Sequence, residues 1–160
     1  MTQTMAKSAR SVQDALNNKG LTCTVIEMAA TTRTAQDAAS AIGCEVAQIV
    51  KSLVFKTATN RPVLVLASGP NRVNEKIIAQ QVGESIGKAD ADFVRTITGF
   101  AIGGIPPIGH VQPIEHVFVD KDLLRFESVW AAAGTPNAVF NIGTTALLEM
   151  AGGKVIDIQN

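Results

Sequence analysis

Two groups of residues in this sequence have the types and spacing to do chemistry. The first is Gly103-Gly104-Ile105-Pro106-Pro107-Ile108-Gly109, three glycines and two prolines in seven residues. Neither a regular helix nor a central strand accepts that composition, so a shaped loop is expected. Glycine lets the backbone approach a ligand closely and turn its N–H groups toward it, while proline fixes φ and stiffens the turn. Main chain alone can thereby form a small pocket for an oxyanion or a carbonyl oxygen. A tight structural turn uses the same residues, and that alternative stays open on composition. The second group centres on Lys51, in the run Ile49-Val50-Lys51-Ser52-Leu53-Val54-Phe55. An apolar run of this kind predicts a buried strand. A lysine within it is either a cation kept in a site or a strand-starting residue whose stem snorkels to water.

These residues must be positioned by helices and strands that alternate along the chain. Ser11 reads as the N-cap of a helix over residues 12–19 stopped by Gly20, and Thr34 caps a second helix that Gly43 ends. Residues 22–27 between them read as a strand. Residues 51–57 and 62–67 form a hairpin across Ala58-Thr59-Asn60-Arg61. Asn74 caps a helix reaching Val82, and residues 90–98 form another, closed by Gly99. The loop at residues 103–109 therefore follows a helix and leads toward a strand at 117–119. Residues 129–133 and 138–142 pair around Gly134-Thr135-Pro136-Asn137. A last helix, 146–151, ends at Gly152-Gly153 before a strand over 154–158. Hairpins interspersed with helices indicate an α+β fold with a mixed, largely antiparallel sheet.

Other chemistries find little support. The candidate metal cluster is His110, Glu115 and His116, and adjacent residues of a strand face opposite sides, so no metal site is expected. There is no Gly-x-Ser-x-Gly elbow and no evident serine or cysteine partner for either histidine. Gly83-Glu84-Ser85-Ile86-Gly87-Lys88 lacks the glycine spacing and the hydroxyl residue of a phosphate-binding loop. Asp90 and Asp92 sit where helix N-termini favour negative charge.

A length of 160 residues with 46% apolar content suits one domain with one core. No apolar stretch approaches the roughly 20 residues of a membrane span, and residues 1–10 lack a signal-peptide apolar region. A cytoplasmic protein is expected. Cys23 and Cys44 are too few for a disulfide framework and read as reduced and structural. Fourteen basic residues balance fourteen acidic ones, which argues against a general nucleic-acid coating protein. Between Lys51 and Lys76, however, Lys51, Lys56, Arg61, Arg72 and Lys76 face Glu75 alone, so this region could meet phosphate, although an ordinary solvated surface has the same pattern. Six Phe, one Trp and no Tyr leave little for a base-stacking platform.

In order and spacing, these residues resemble the YbaK/prolyl-tRNA synthetase-associated domain family, free-standing relatives of the editing domain inserted in bacterial prolyl-tRNA synthetases. The resemblance runs from Thr34-Ala35-Gln36-Asp37-Ala38-Ala39 through the Lys51 strand and the 103–109 loop. It continues through Val129-Trp130-Ala131-Ala132-Ala133-Gly134-Thr135-Pro136-Asn137 to Leu147-Leu148-Glu149-Met150. It implies one domain over residues 1–160 and sharpens the α+β reading to a curved, barrel-like, mixed and mostly antiparallel sheet flanked by helices. It also implies a free-standing trans-editing aminoacyl-tRNA deacylase that needs no metal or organic cofactor. Its substrate would be the ester of a mischarged tRNA, tRNA(Pro) or a related tRNA carrying a small amino acid.

The family's essential lysine carries over to Lys51, and its Gly-x-x-x-Pro loop to Gly103 and Pro107. Gly104, Ile105, Pro106 and Gly109 complete the substrate loop. Asn137 falls roughly where the family places a polar pocket residue, with a turn-forming asparagine as the competing reading. Many members carry serine where this chain has Pro106, which removes a hydroxyl and an N–H and leaves the edited amino acid open. The implied partners are the 3′ aminoacyl-adenosine end of the tRNA and an aminoacyl-tRNA synthetase. The competing functions are a non-catalytic aminoacyl-tRNA or synthetase-binding module of the same fold and a hydrolase of small esters unrelated to tRNA.

Overall fold

Capping residues set most helix boundaries in the computed structural model, which describes residues 5–159; residues 1–4 and 160 of the expected single domain lie outside the described residues. In α2 (Ala35–Ile42) the Thr34 hydroxyl accepts the Asp37 N–H at 3.0 Å, and Gly43 closes the helix in the left-handed region at φ 85°. Asn74 caps α3 (Glu75–Val82) through the Lys76 N–H, and Asp90 caps α4 (Ala91–Thr98) through the Phe93 N–H at 2.8 Å. The last helix, α5 (Thr144–Ala151), begins two residues ahead of the predicted start.

Helix α1 (Lys7–Asn18) departs further from expectation. It starts beyond Ala6, which offers no capping side chain, and Ser11 lies inside it, its hydroxyl donating to the Ser8 carbonyl. What fixes this helix is burial of Ala9, Val12 and Leu16 along one stripe, tertiary packing that outweighs the local cap.

Among the described residues, eight strands form one sheet: β1 (Ile26–Glu27), β2 (Ile49–Thr57), β3 (Pro62–Ser68), β4 (Ile86–Lys88), β5 (His116–Asp120), β6 (Ser128–Ala132), β7 (Ala138–Gly143) and β8 (Lys154–Ile156). Their order is β1-β7-β6-β2-β3-β5-β8, with β4 added on β2. Pairs β1/β7, β2/β3, β2/β4 and β6/β7 are antiparallel, and β2/β6, β3/β5 and β5/β8 are parallel, so the sheet is mixed, as expected. The β2–β3 turn holds Asn60 at φ 63°, a conformation asparagine tolerates.

β1 is shorter than the predicted strand over 22–27 because Gln13 of α1 takes the upstream polar groups, donating to the Cys23 carbonyl and accepting the Val25 N–H. β4 and the short 3-10 turns Val46–Gln48 and Lys121–Arg125 were not predicted. Beyond β8, Ile158 leaves the sheet and its carbonyl accepts the Asn74 N–H at 2.7 Å.

Alternation along β2 and β3 sends side chains to two apolar layers. Val50, Leu64 and Leu66 join Phe140, Ile142 and the apolar stripe of α1 on one face. Phe55, Val63, Val65 and Ala67 meet Phe118 and Ile78 on the other. A third cluster seats Ala38 and Ala39 of α2 against Ile49 and Trp130. Phe140 is fully buried, so Phe140→Ala is expected to lower unfolding free energy by about 3–5 kcal/mol in denaturant titration; a loss under about 1 kcal/mol would contradict its central place in the larger core.

Candidate active site

Strand β2 is shared by three neighbours, and the sharing is incomplete. β3 pairs with it along residues 50–56. On its other edge β6 pairs only with Ile49 and Val50, and β4 only with Phe55, Lys56 and Thr57. Residues 51–54 therefore have no strand partner on that edge among the described residues. A cavity of about 920 Å³ opens against the gap. Its walls come from β2, the segment before and into α2, the 71–75 segment, the β4–α4 junction, β6 and residues 102–105.

Lys51 lies at this gap. Its Nζ donates to the Asn71 carbonyl at 2.7 Å. Burial pushes its pKa below the ordinary lysine value, the nearby Arg72 guanidinium adds to that, and Asp120 pulls the other way. The Asn71 carbonyl is itself held in place. Asn71 Nδ2 donates to Asp120 at 2.8 Å and to Asp122 at 2.7 Å, while Asp120, 1% exposed, also accepts the Ser68 and Asp122 N–H groups at 3.0 Å. A buried carboxylate must be met by hydrogen-bond donors, and here it anchors the loop that orients the lysine.

The glycine-rich loop is divided. Gly103, Gly104 and Ile105 line the cavity with Lys51. Gly104 has a structural duty as well: a Cβ there would sit 2.9 Å from the Thr135 nitrogen, and its carbonyl accepts the Gly134 N–H at 2.8 Å. Glycine at 104 thus permits the loop to dock on the β6–β7 turn, and a side chain there would strike that turn. The Gly104 N–H is used by the Ala101 carbonyl, whereas the N–H groups of Gly103 and Ile105 have no partner among the described residues.

The rest of the loop lies outside this lining. Pro106 is buried, and its carbonyl accepts from His110 Nε2 at 2.7 Å; burial of His110 pushes its pKa down, against the effect of that bond. Pro107 and Gly109 line a separate recess of about 300 Å³ with His110 and Lys19. Asn137 is also outside the cavity lining, its amide donating to the Met28 carbonyl at 2.9 Å across to the β1 segment.

The cations at the cavity come from four places in the chain: Arg33, Lys51, Arg72 and Lys88. Arg33 lies over Gly103, its Cγ 3.2 Å from where a Cβ would stand. Arg33, Arg72 and Lys88 enter no ion pair among the described residues. The basic run seen between residues 51 and 76 is thus only partly gathered here. Arg61 is tied to Glu84 at 2.5 Å, which holds that carboxyl at about 2, and Lys56 sits over the Phe93 ring. Arg33, Lys88 and the Asn71–Asp120 clasp carried no local sequence signal, because only the fold brings them to Lys51. Cys23 and Cys44 are unpaired and half-buried, and burial raises both thiols. Among the described residues no group of three or more His, Cys, Asp or Glu is placed to hold a metal ion, and no helix is long and apolar enough to cross a membrane.

Comparison with known proteins shows which family has this fold. Residues 29–150 match the aminoacyl-tRNA editing domain family, and the chain belongs to that family. A solved structure described as that of a candidate trans-editing enzyme for prolyl tRNA synthetase superposes with a TM-score of 0.92 at 44% identity, covering 98% of this chain and 99% of that one. The uncharacterized protein YwhH of Bacillus subtilis (strain 168) is 31% identical over 84% of this chain and 85% of its own length. Proline–tRNA ligase of Thermodesulfovibrio yellowstonii is 29% identical over 51% of this chain and 14% of its own length.

Asn71→Ala removes both amide bonds of the clasp and is expected to destabilise the fold by about 1–3 kcal/mol, read by urea denaturation. A change within about 0.5 kcal/mol would mean that the clasp does not hold the Lys51 side of the cavity in place.

Proposed function

We propose that this protein is a trans-editing aminoacyl-tRNA deacylase that hydrolyses the ester of a mischarged tRNA, tRNA(Pro) or a related tRNA carrying a small amino acid, in the cytoplasm. The observation that carries this reading is the placement of the Lys51 ammonium and the Gly103–Ile105 backbone on one cavity in a member of an editing family.

A 3′-aminoacyl ester is already activated, so its hydrolysis needs orientation and charge stabilisation more than a strong protein nucleophile. Lys51, half-desolvated and held by the Asn71 carbonyl, supplies a cation for the terminal phosphate or for the oxyanion that develops as the ester opens. The unpartnered N–H groups of Gly103 and Ile105 supply main-chain donors for the aminoacyl carbonyl. Arg33, Arg72 and Lys88 line the same cavity and suit an incoming phosphate backbone. Water, or a hydroxyl or thiol of the substrate, makes the attack. Pro106 and Pro107 follow Ile105 directly and stiffen the loop, Gly109 turns it at φ 81°, and Asn137 ties the β6–β7 turn on which Gly104 docks to the Met28 carbonyl. A synthetase partner fits the likeness to proline–tRNA ligase.

The test is a deacylation panel of tRNAs charged with Ala, Cys, Ser, Thr and Pro, with protein substoichiometric to substrate. Turnover of at least one mischarged tRNA is expected. Binding without turnover would mark a non-catalytic module, and hydrolysis unaffected by free tRNA would mark a small-ester hydrolase. Lys51→Ala is expected to fold, by circular dichroism, and to lose at least about a hundredfold in kcat/KM, the scale of one preorganised electrostatic group; retained activity would overturn its role.

Burial disfavours the Lys51 cation in the folded protein, so its proton is lost at lower pH than from an ordinary lysine. After subtraction of spontaneous hydrolysis, kcat/KM is therefore expected to fall on an alkaline limb that lies below the ordinary lysine range. The stability sign is opposite: the folded state binds fewer protons than the unfolded one in that window, so the penalty of the buried cation lifts as pH rises. An alkaline limb at or above the ordinary lysine value would show that Lys51 is not the titrating group.

A further inference from the structure

The unpaired edge of β2 presents main-chain groups whose direction follows from the strand's pairing. The Ala58 N–H donates to the Ser85 carbonyl at 3.0 Å on the β4 side, whereas the Thr57 N–H donates to the Arg61 carbonyl at 2.9 Å on the β3 side. Polar groups of successive strand residues alternate in direction. Lys51 and Leu53 therefore bond toward β3, and Ser52 and Val54 turn theirs toward the gap between β4 and β6. The Ser52 N–H, the Ser52 C=O and the Val54 N–H find no partner in any described turn, loop or side chain. The Ser52 hydroxyl is buried and likewise unpartnered. Polar groups along an unpaired strand edge that lines a cavity are free to pair with a ligand.

Its dimensions limit what that ligand can be. From Val50 to Phe55 the strand advances roughly 16 Å at about 3.3 Å per residue, and β6 and β4 stop the opening at either end. An added peptide strand would collide with both. A single planar heterocycle fits. A carbonyl at residue i and an N–H at residue i+2 on the same edge match the Watson–Crick edge of adenine, which offers an amino donor at N6 beside the acceptor N1. Ala38, Val94, Ile105 and Trp130 line the same cavity and supply apolar surface for the faces of a base.

We propose that the open edge of β2 is an adenine site: the Ser52 C=O accepts from N6 and the Val54 N–H donates to N1 of the terminal adenosine of the tRNA. The naming of that adenosine rests on the deacylase reading above; the donor and acceptor pattern of the strip does not. The cavity is thereby selective for the base as well as the ester, and the base anchors the ribose whose acyl group meets Lys51 and Gly103.

The experiment compares deacylation of tRNAs that end in adenosine, inosine or purine riboside, charged chemically so that no synthetase must accept the altered end. It is paired with titration of the ¹⁵N-labelled protein by adenosine 5′-monophosphate and inosine 5′-monophosphate. Purine riboside lacks the N6 donor and is expected to lose about tenfold in kcat/KM, the scale of one hydrogen bond. Inosine reverses both groups and is expected to lose about a hundredfold. The monophosphate of adenosine, and not that of inosine, should shift the Val54 amide.

Equal rates on all three ends, with activity present, would overturn the adenine site and leave the deacylase reading standing. No turnover on any charged tRNA together with adenosine-selective shifts at Val54 would sustain the adenine site and overturn the deacylase reading. No selectivity in either arm would overturn the proposal. Val54→Pro removes the donor without taking a β3 hydrogen bond, since that N–H faces the gap. It should abolish discrimination between adenosine and inosine ends, and retained discrimination would count against the strip.

Discussion

Strand β2 carries more of this protein than any other element, and the way its outer edge is divided governs the rest. A central strand normally pairs along both sides, and any interruption exposes polar backbone that must be satisfied by other means. Here β6 occupies one end of the edge and β4 the other. The interval between them is where the sheet opens into a cavity, where Lys51 leaves the strand, and where α2, α4 and the glycine-rich loop converge. Closing the gap with further pairing would add ladder hydrogen bonds and erase the site. The fold keeps an incomplete sheet, and the cavity is the consequence.

The same economy explains the lysine. Burial and the neighbouring Arg72 guanidinium both disfavour the Lys51 ammonium and push its pKa down. The fold offsets this with a fixed acceptor, the Asn71 carbonyl, and fixes that acceptor through an amide clasp on two aspartates. Asp120 is buried and fully engaged. The result is an ammonium held in one position by neighbours that are themselves fixed.

Much of this was legible in the sequence, for local reasons. Thr34, Asn74 and Asp90 cap helices because their short polar side chains reach N–H groups two or three residues on, and Gly43, Gly83 and Gly99 end those helices because each adopts positive φ. Lys51 and Gly103 stood out because each breaks the pattern around it. What the sequence did not reveal depends on distant contacts. β4 has three residues and exists because β2 offers it an edge. Residues 22–25 look like a strand but are bonded by Gln13. The 103–109 segment reads as one motif, yet only its first three residues reach the cavity, since Gly104 must dock on Thr135 and His110 must reach back to Pro106. Arg33 and Lys88 are placed beside Lys51 by topology alone.

If the interrupted edge of β2 is the substrate site, a non-hydrolysable 3′-aminoacylamido analogue of adenosine must bind there. A crystal structure of that complex tests the claim most directly. The expected result places the analogue between β4 and β6, its acyl group within hydrogen-bonding distance of Lys51 Nζ and of the Gly103 or Ile105 N–H. An analogue seated instead in the recess of Pro107, Gly109 and His110, or anywhere that leaves residues 51–54 uncovered, would contradict it.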